Sequence, residues 1–190
     1  MSDIPLPQSF YQRDTCIVAH DLLGKKIIHS VDGIRVSGII VETESYGAHN
    51  DPASHAFRKQ TPRNSPMFGP VGYSYVYFIY GNHFCFNITA KNDALPAGAV
   101  LIRAIIPHEG IEHMRQRRAI SKDALLTNGP GKLTQALAIT SAQSNRPVTD
   151  ADILCVTEGI AIDPTAIIQT PRIGINAGKE LLWRFYVSLK

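Results

Sequence analysis

The chain has 190 residues, of which 44% are hydrophobic and 18% charged. That suits one domain spanning 1–190 with a sizeable core. Its formal net charge of +3 is too small to establish a polyanionic partner, so the placement of the cations has to decide. Cys16, Cys85 and Cys155 are odd in number and widely spaced. This argues against a disulfide framework or a zinc knuckle and fits a reducing cytoplasm. No stretch approaches the ~18 apolar residues needed to span a bilayer, and the opening MSDIPLPQSFYQRD lacks a basic region followed by an apolar one. A soluble, unprocessed protein is therefore expected.

Residues 14–23, DTCIVAHDLL, carry apolar groups at helical spacing, with Asp14 or Thr15 as cap and Gly24 as stop; they predict a helix packed on a sheet. Strands are predicted over 25–31 and 34–43, flanking Asp32-Gly33, a dipeptide that supplies the positive φ angles of a tight hairpin. The second strand runs into IVETESY. If it stays regular, Ile34, Val36, Ile40, Glu42 and Glu44 share one face, and Tyr46 points the same way as Glu44. A buried, unpaired carboxylate is costly, so this strand end is expected to deliver an acid to a cleft.

From 47 to 72 runs a segment rich in His, Asp, Asn, Pro and Gly. Loops this long are usually functional or disordered. Because it follows the acid and contains Arg58, Lys59 and Arg63, it reads as a loop folded over a site, the alternative being a mobile excursion. A second hairpin is predicted from 73–80 and 84–89 around Gly81-Asn82, with Tyr73, Tyr75 and Tyr77 on one face and Tyr80 at the tip. For Tyr73 and Tyr75 the better reading is core packing with satisfied hydroxyls. Residues 99–105 predict another strand, interrupted by Arg103, which needs an anionic partner if buried.

Residues 108–120 predict a helix whose cluster Arg115, Arg117 and Arg118 is either a solvated face or a basic patch. In 128–139, Gly-Pro-Gly-Lys precedes an amphipathic helix, a moderate signal for an anion site. A polar turn is expected over 144–151, strands over 153–162 and 182–189, and a turn-rich segment over 171–178.

Three kinds of chemistry fit these residues. Glu44, His49 and His55 could ligate a metal, but their spacing matches no helical zinc motif. Aromatic hairpins with scattered cations could bind nucleic acid without catalysis, which leaves the carboxylates unexplained. A basic, aromatic surface around one acid describes an enzyme acting on a nucleobase that it extrudes from the duplex.

The ordered blocks VETESY, SHAF, QTPRN, YVYFIYG, FCFNIT, LIRA, NGPGKLTQAL, PRIG and WRFYV resemble the alkyladenine (3-methyladenine) DNA glycosylases from about residue 8 to 188. The resemblance implies an α+β fold: a single mixed domain with a curved, mainly antiparallel sheet, flanking helices and a protruding DNA-intercalating hairpin. It implies that Glu44 activates a water to attack C1′ as a damaged purine leaves, with Arg103 and the backbone carbonyl of Ile173 holding that water. Glu44 should then be hydrated and hydrogen-bonded, and Glu42 a structural acid. Tyr46, His55 and Tyr77 become walls for an electron-poor purine, and Asn87 disfavours guanine's amino group. Tyr80 becomes the intercalating wedge, flanked by Asn82 and His83, while Arg63 and Lys132 meet phosphates. The resemblance further implies no cofactor or metal, no lyase activity, and a monomer acting on double-stranded DNA in a bacterial cytoplasm, at the nucleoid. The alternatives are a non-catalytic lesion binder of the same fold and a helix-hairpin-helix glycosylase, the latter disfavoured by the dominance of strands.

Overall fold

A computed structural model describes residues 3–79, 81 and 83–188. Its frame is an antiparallel, curled sheet of nine strands. These are β1 (Lys26–Val31), β2 (Ile34–Tyr46), β3 (Ser74–Ile79), β4 (His83–Thr89), β5 (Ala99–Glu109), β6 (Thr149–Asp150), β7 (Leu154–Thr157), β8 (Ile168–Thr170) and β9 (Arg184–Tyr186). The main path runs β3-β4-β5-β2-β1-β7-β6. The 13-residue β2 is the central strand: β5 lies along one edge, and the other edge is shared by β1 on its first half and β9 on its last.

Among the described residues four short α-helices surround the sheet: α1 (Gln8–Tyr11), α2 (Thr15–Asp21), α3 (Ile111–Arg118) and α4 (Pro130–Ala136). Asp14 caps α2 by accepting from Cys16 N and Ile17 N, as its sequence implied. Leu22 from the α2 side, Ile27, Ile40 and Phe86 from the sheet, and Leu133 from α4 meet in the main core, all fully buried. A smaller cluster containing Tyr75, Met67 and Ala99 lies apart from it, with Tyr46 and Tyr77 packed against it.

The first hairpin forms as predicted, with Asp32 and Gly33 at φ of 52° and 73°. The regular face expected along β2 does not form. Pairing with β5 slips between Ile40 and Glu42 and again between Glu42 and Thr43, which leaves Val41 on β2 and Arg103 on β5 without partners. Each is the extra residue of a bulge, and an odd insertion reverses which face a side chain takes. Val36 and Ile40 therefore lie in the main core, and beyond the bulges Thr43 is the residue turned that way, donating to Ala19 O. Glu42 and Glu44 are swung to the opposite face, where both meet Arg103.

Several boundaries also differ from expectation. β5 continues through Pro107 to Glu109, because Ile106 and Pro107 still pair with Ile39 and Gly38. The left-handed Gly110, at φ 69°, then starts α3 at Ile111 rather than at 108. The strand expected over 153–162 is confined to β7, and the one expected over 182–189 to β9, whose final predicted position, Leu189, lies outside the described residues. Among the described residues no helix is long and apolar enough to cross a membrane.

Candidate active site

Glu44 ends its strand completely buried, with no exposed surface, which corrects the expectation of a hydrated acid. Three groups cover it. The Tyr46 hydroxyl donates to Oε2 at 2.8 Å, Arg103 Nη1 lies 3.2 Å from the same oxygen, and Ile173 N–H donates to Oε1 at 2.8 Å. An ionised carboxylate offers about four acceptor positions, so one on Oε1 is left for an incoming donor. Glu44 and Tyr46 share a face because two strand residues separate them, as the period requires.

Arg103 is held in turn. Its Nε donates to Glu42 Oε1 at 2.8 Å, and Arg184 Nε donates to the same oxygen at 2.6 Å. Burial opposes the charge on Arg103, yet the adjacent Glu44 and Glu42 outweigh it and raise its pKa. Glu42 is thus a structural acid that fixes the cation touching Glu44.

Tyr46, Arg103 and Ile173, the three groups that cover Glu44, line a cavity of about 320 Å³, at the small end of the range for ligand pockets, about 300–1,000 Å³. Tyr46, Tyr77 and His55 wall it, and Asn87, Met67 and Leu101 are among the other residues that line it. Asn87 Nδ2 is tied to Tyr75 O at 2.9 Å. Tyr75, which sequence reasoning assigned to plain packing, also lines the cavity and lies 3.0 Å from His55 Nδ1. Its ring is 5.2 Å from that of Tyr77, and the His55 ring is 4.9 Å from Tyr77 in an edge-on arrangement. Alternation along β3 was the signal that could have found it.

Burial, assisted by Arg63, lowers the His55 pKa below the ordinary 6.5, so at neutral pH the imidazole is uncharged, and the tautomer sets the direction of its Nδ1 hydrogen bond with the Tyr75 hydroxyl. Burial also raises the phenols, with Tyr75 pushed up to about 12 and Tyr46 and Tyr77 further still, the Glu44 charge adding to the effect on Tyr46. All three hydroxyls stay protonated at neutral pH.

The loop over 47–72 is folded over this cavity and internally tied. Asn64 donates to His55 O at 2.7 Å and Lys59 O at 3.0 Å, and Asp51 accepts from Gly47 N and Ala53 N. Arg63 is exposed beside the cavity, 5.3 Å from the Tyr77 ring centre and donating to Phe78 O. Lys132 donates to Asn128 Oδ1 at the start of α4, and His83 is exposed on β4 against Gly131. Tyr80 and Asn82 lie outside the described residues. The arginines of α3 face the protein: Arg115 is chelated by Asp123, Arg117 donates to Ala136 O, and Arg118 donates to Leu126 O. Among the described residues no three His, Cys, Asp or Glu side chains converge as a metal site would require.

A small cavity walled by aromatic rings, with a buried acid behind three of its lining residues on a curled antiparallel sheet, has the make-up of a small-molecule binding site. The sequence comparisons specify the family. The profile described as methylpurine-DNA glycosylase (MPG) matches residues 9–190. A Carboxydothermus hydrogenoformans protein is 47% identical over 183 residues, covering 96% of this chain and 95% of that protein. A Clostridium acetobutylicum protein is 45% identical with 96% and 94% covered, and one from Prosthecochloris aestuarii is 47% identical with 95% and 86% covered. All three carry, provisionally, the name 3-methyladenine DNA glycosylase. The chain belongs to the methylpurine-DNA glycosylase family.

Proposed function

We propose that this protein hydrolyses the N-glycosidic bond of an alkylated or deaminated purine in duplex DNA, acting alone, without metal or cofactor, on one nucleotide turned out into the aromatic cavity. The observation that carries the reading is Glu44, a buried carboxylate held by Tyr46, Arg103 and Ile173 against that cavity. As the C1′–N bond breaks, its electron pair leaves with the purine and positive charge develops on the sugar. A carboxylate beside it stabilises that charge and takes the proton of the water whose oxygen bonds to C1′. The water donates to the acceptor position left on Oε1 beside the Ile173 N–H, while Tyr46 and Arg103 stay on Oε2.

The aromatic walls favour electron-poor rings, and damaged bases cost less to unstack. On this reading Ile173 closes the water site, Asn87 discriminates against guanine, and Tyr80, with Asn82 and His83, fills the gap left in the duplex. Arg63 and Lys132 meet the phosphates. The product is an intact strand with an abasic site, formed by a monomer working on the bacterial nucleoid in the cytoplasm. The test is a set of single-lesion duplexes carrying 3-methyladenine, 7-methylguanine, hypoxanthine or ethenoadenine. Free purine should appear from at least one of them, with strand scission only after hot alkali. Release from none, or scission without alkali, contradicts the reading.

A further inference from the structure

Arg172 and Asp51 have no part in the chemistry described above, yet they form an ion pair in which both side chains are fully buried. The fork is bidentate, with Nη1 donating to Asp51 Oδ2 at 2.7 Å and Nη2 to Oδ1 at 2.6 Å. Taking two charges out of water is expensive, and such a pair can often be replaced by apolar side chains without loss of stability. Stability alone therefore does not account for it. Its position does.

The pair joins three segments of the site. Arg172 Nη1 also donates to Ser45 O at 2.9 Å, directly after Glu44 in β2. Asp51 accepts from Gly47 N and Ala53 N and so sets the turn that carries Ala53 and His55 to the cavity wall. The residue after Arg172 supplies the N–H that binds Glu44 Oε1. The guanidinium also lies over two rings, 4.7 Å from the centre of Tyr46 and 5.2 Å from that of Trp183.

We propose that Arg172, locked by Asp51, is a positioning residue for the hydrolysis: it fixes the Ile173 N–H on Glu44 and the Tyr46 ring at the cavity wall. This rests on the assignment of Glu44 as the base. Displacement of a catalytic group by about 1 Å can cost about 10²-fold in rate. Lysine at 172 keeps the charge but loses the fork, and asparagine at 51 keeps the shape but loses the charge.

The test uses the full chain in excess over a dimethyl-sulfate-treated duplex, measuring purine release, affinity for that duplex and thermal melting. Arg172→Lys and Asp51→Asn should release purine about 10²-fold more slowly, with the dissociation constant changed by no more than about threefold. The double variant Asp51→Leu/Arg172→Met removes both charges; it should melt near wild type and remain slow, and it carries the test if the single variants fail to fold. A folded variant within about threefold of the wild-type rate, or a double variant whose rate recovers with its melting temperature, overturns the positioning role. Glu44→Gln in the same assay separates the two readings. Equal release by wild type and Glu44→Gln overturns the base assignment and the positioning role with it, whereas a slow Glu44→Gln beside fast Arg172 variants overturns only the positioning role.

Discussion

Arg103 and Arg172 approach Glu44 from two directions and are held in opposite ways. Arg103 sits on a bulge, keeps 11% of its side chain exposed, divides itself between Glu42 and Glu44, and lines the cavity. Arg172 has no exposed side-chain surface, gives its fork to Asp51 and a further Nη1 bond to Ser45 O, and lies over the Tyr46 and Trp183 rings. A guanidinium with two carboxylates and an open edge can rearrange when substrate and water arrive. One with a bidentate partner, a backbone carbonyl and no exposed surface holds its surroundings still. The same residue type thus serves contact with the reaction in one place and rigidity in the other, and the difference lies in burial and number of partners.

Stability separates the two most strongly. Arg172→Met leaves Asp51 charged, buried and unpaired, and should cost roughly 3–5 kcal/mol in urea unfolding. Arg103→Met should cost less, about 1–3 kcal/mol, because Glu42 retains Arg184 while Glu44 retains Tyr46 and Ile173. Equal losses would break the contrast. Activity should rank the folded Arg103→Met below wild type by about 10²–10³ in the rate of purine release, the usual cost of deleting one charge-stabilising donor.

A smaller effect comes from His55. Burial, assisted by Arg63, lowers its pKa below 6.5, so as pH falls through 6.5 the unfolded chain takes up the proton before the folded one. Stability is fully present above 6.5 and is lost as pH falls through the folded pKa. His29, lowered by burial in the same direction, adds to the loss. The melting temperature of wild type should therefore drop between pH 6.5 and 5, and His55→Gln should show a shallower drop. An identical slope would remove His55 from the explanation. The smallest effect expected is for Lys132→Ala, which should reduce the salt dependence of duplex binding by about one ion. An unchanged slope would show that Lys132 does not meet a phosphate.

The hairpins were legible because Asp32-Gly33 states its turn and period-two alternation states its strands. The pairing of Glu44 with Tyr46 was legible for the same reason. The double bulge was not, since register between β2 and β5 is set by partners about 60 positions away (Glu42 to Arg103, |i−j| 61) and local sequence carries no trace of it. Pro107 looked like the end of a strand, yet it continues to pair, opposite Gly38. β8, three residues long, is too short to display alternation, whereas β9 lies inside the strand expected over 182–189. The basic run on α3 reads as either a solvated face or a basic patch, and its guanidiniums are spent on Asp123, Ala136 O and Leu126 O. Arg172 was hidden because the partner that gives it meaning lies 121 residues earlier, in a loop read as a cover for the site through Arg58, Lys59 and Arg63 rather than through Asp51.

The most direct test of the central claim compares wild type with Glu44→Gln at saturating enzyme on a duplex carrying one excisable purine lesion. The amide keeps the shape of the carboxylate and removes its charge and basicity. The account predicts similar affinity for the duplex and a fall in purine release of about 10²–10⁴-fold, the range for loss of a general base. Release by Glu44→Gln at the wild-type rate would contradict it.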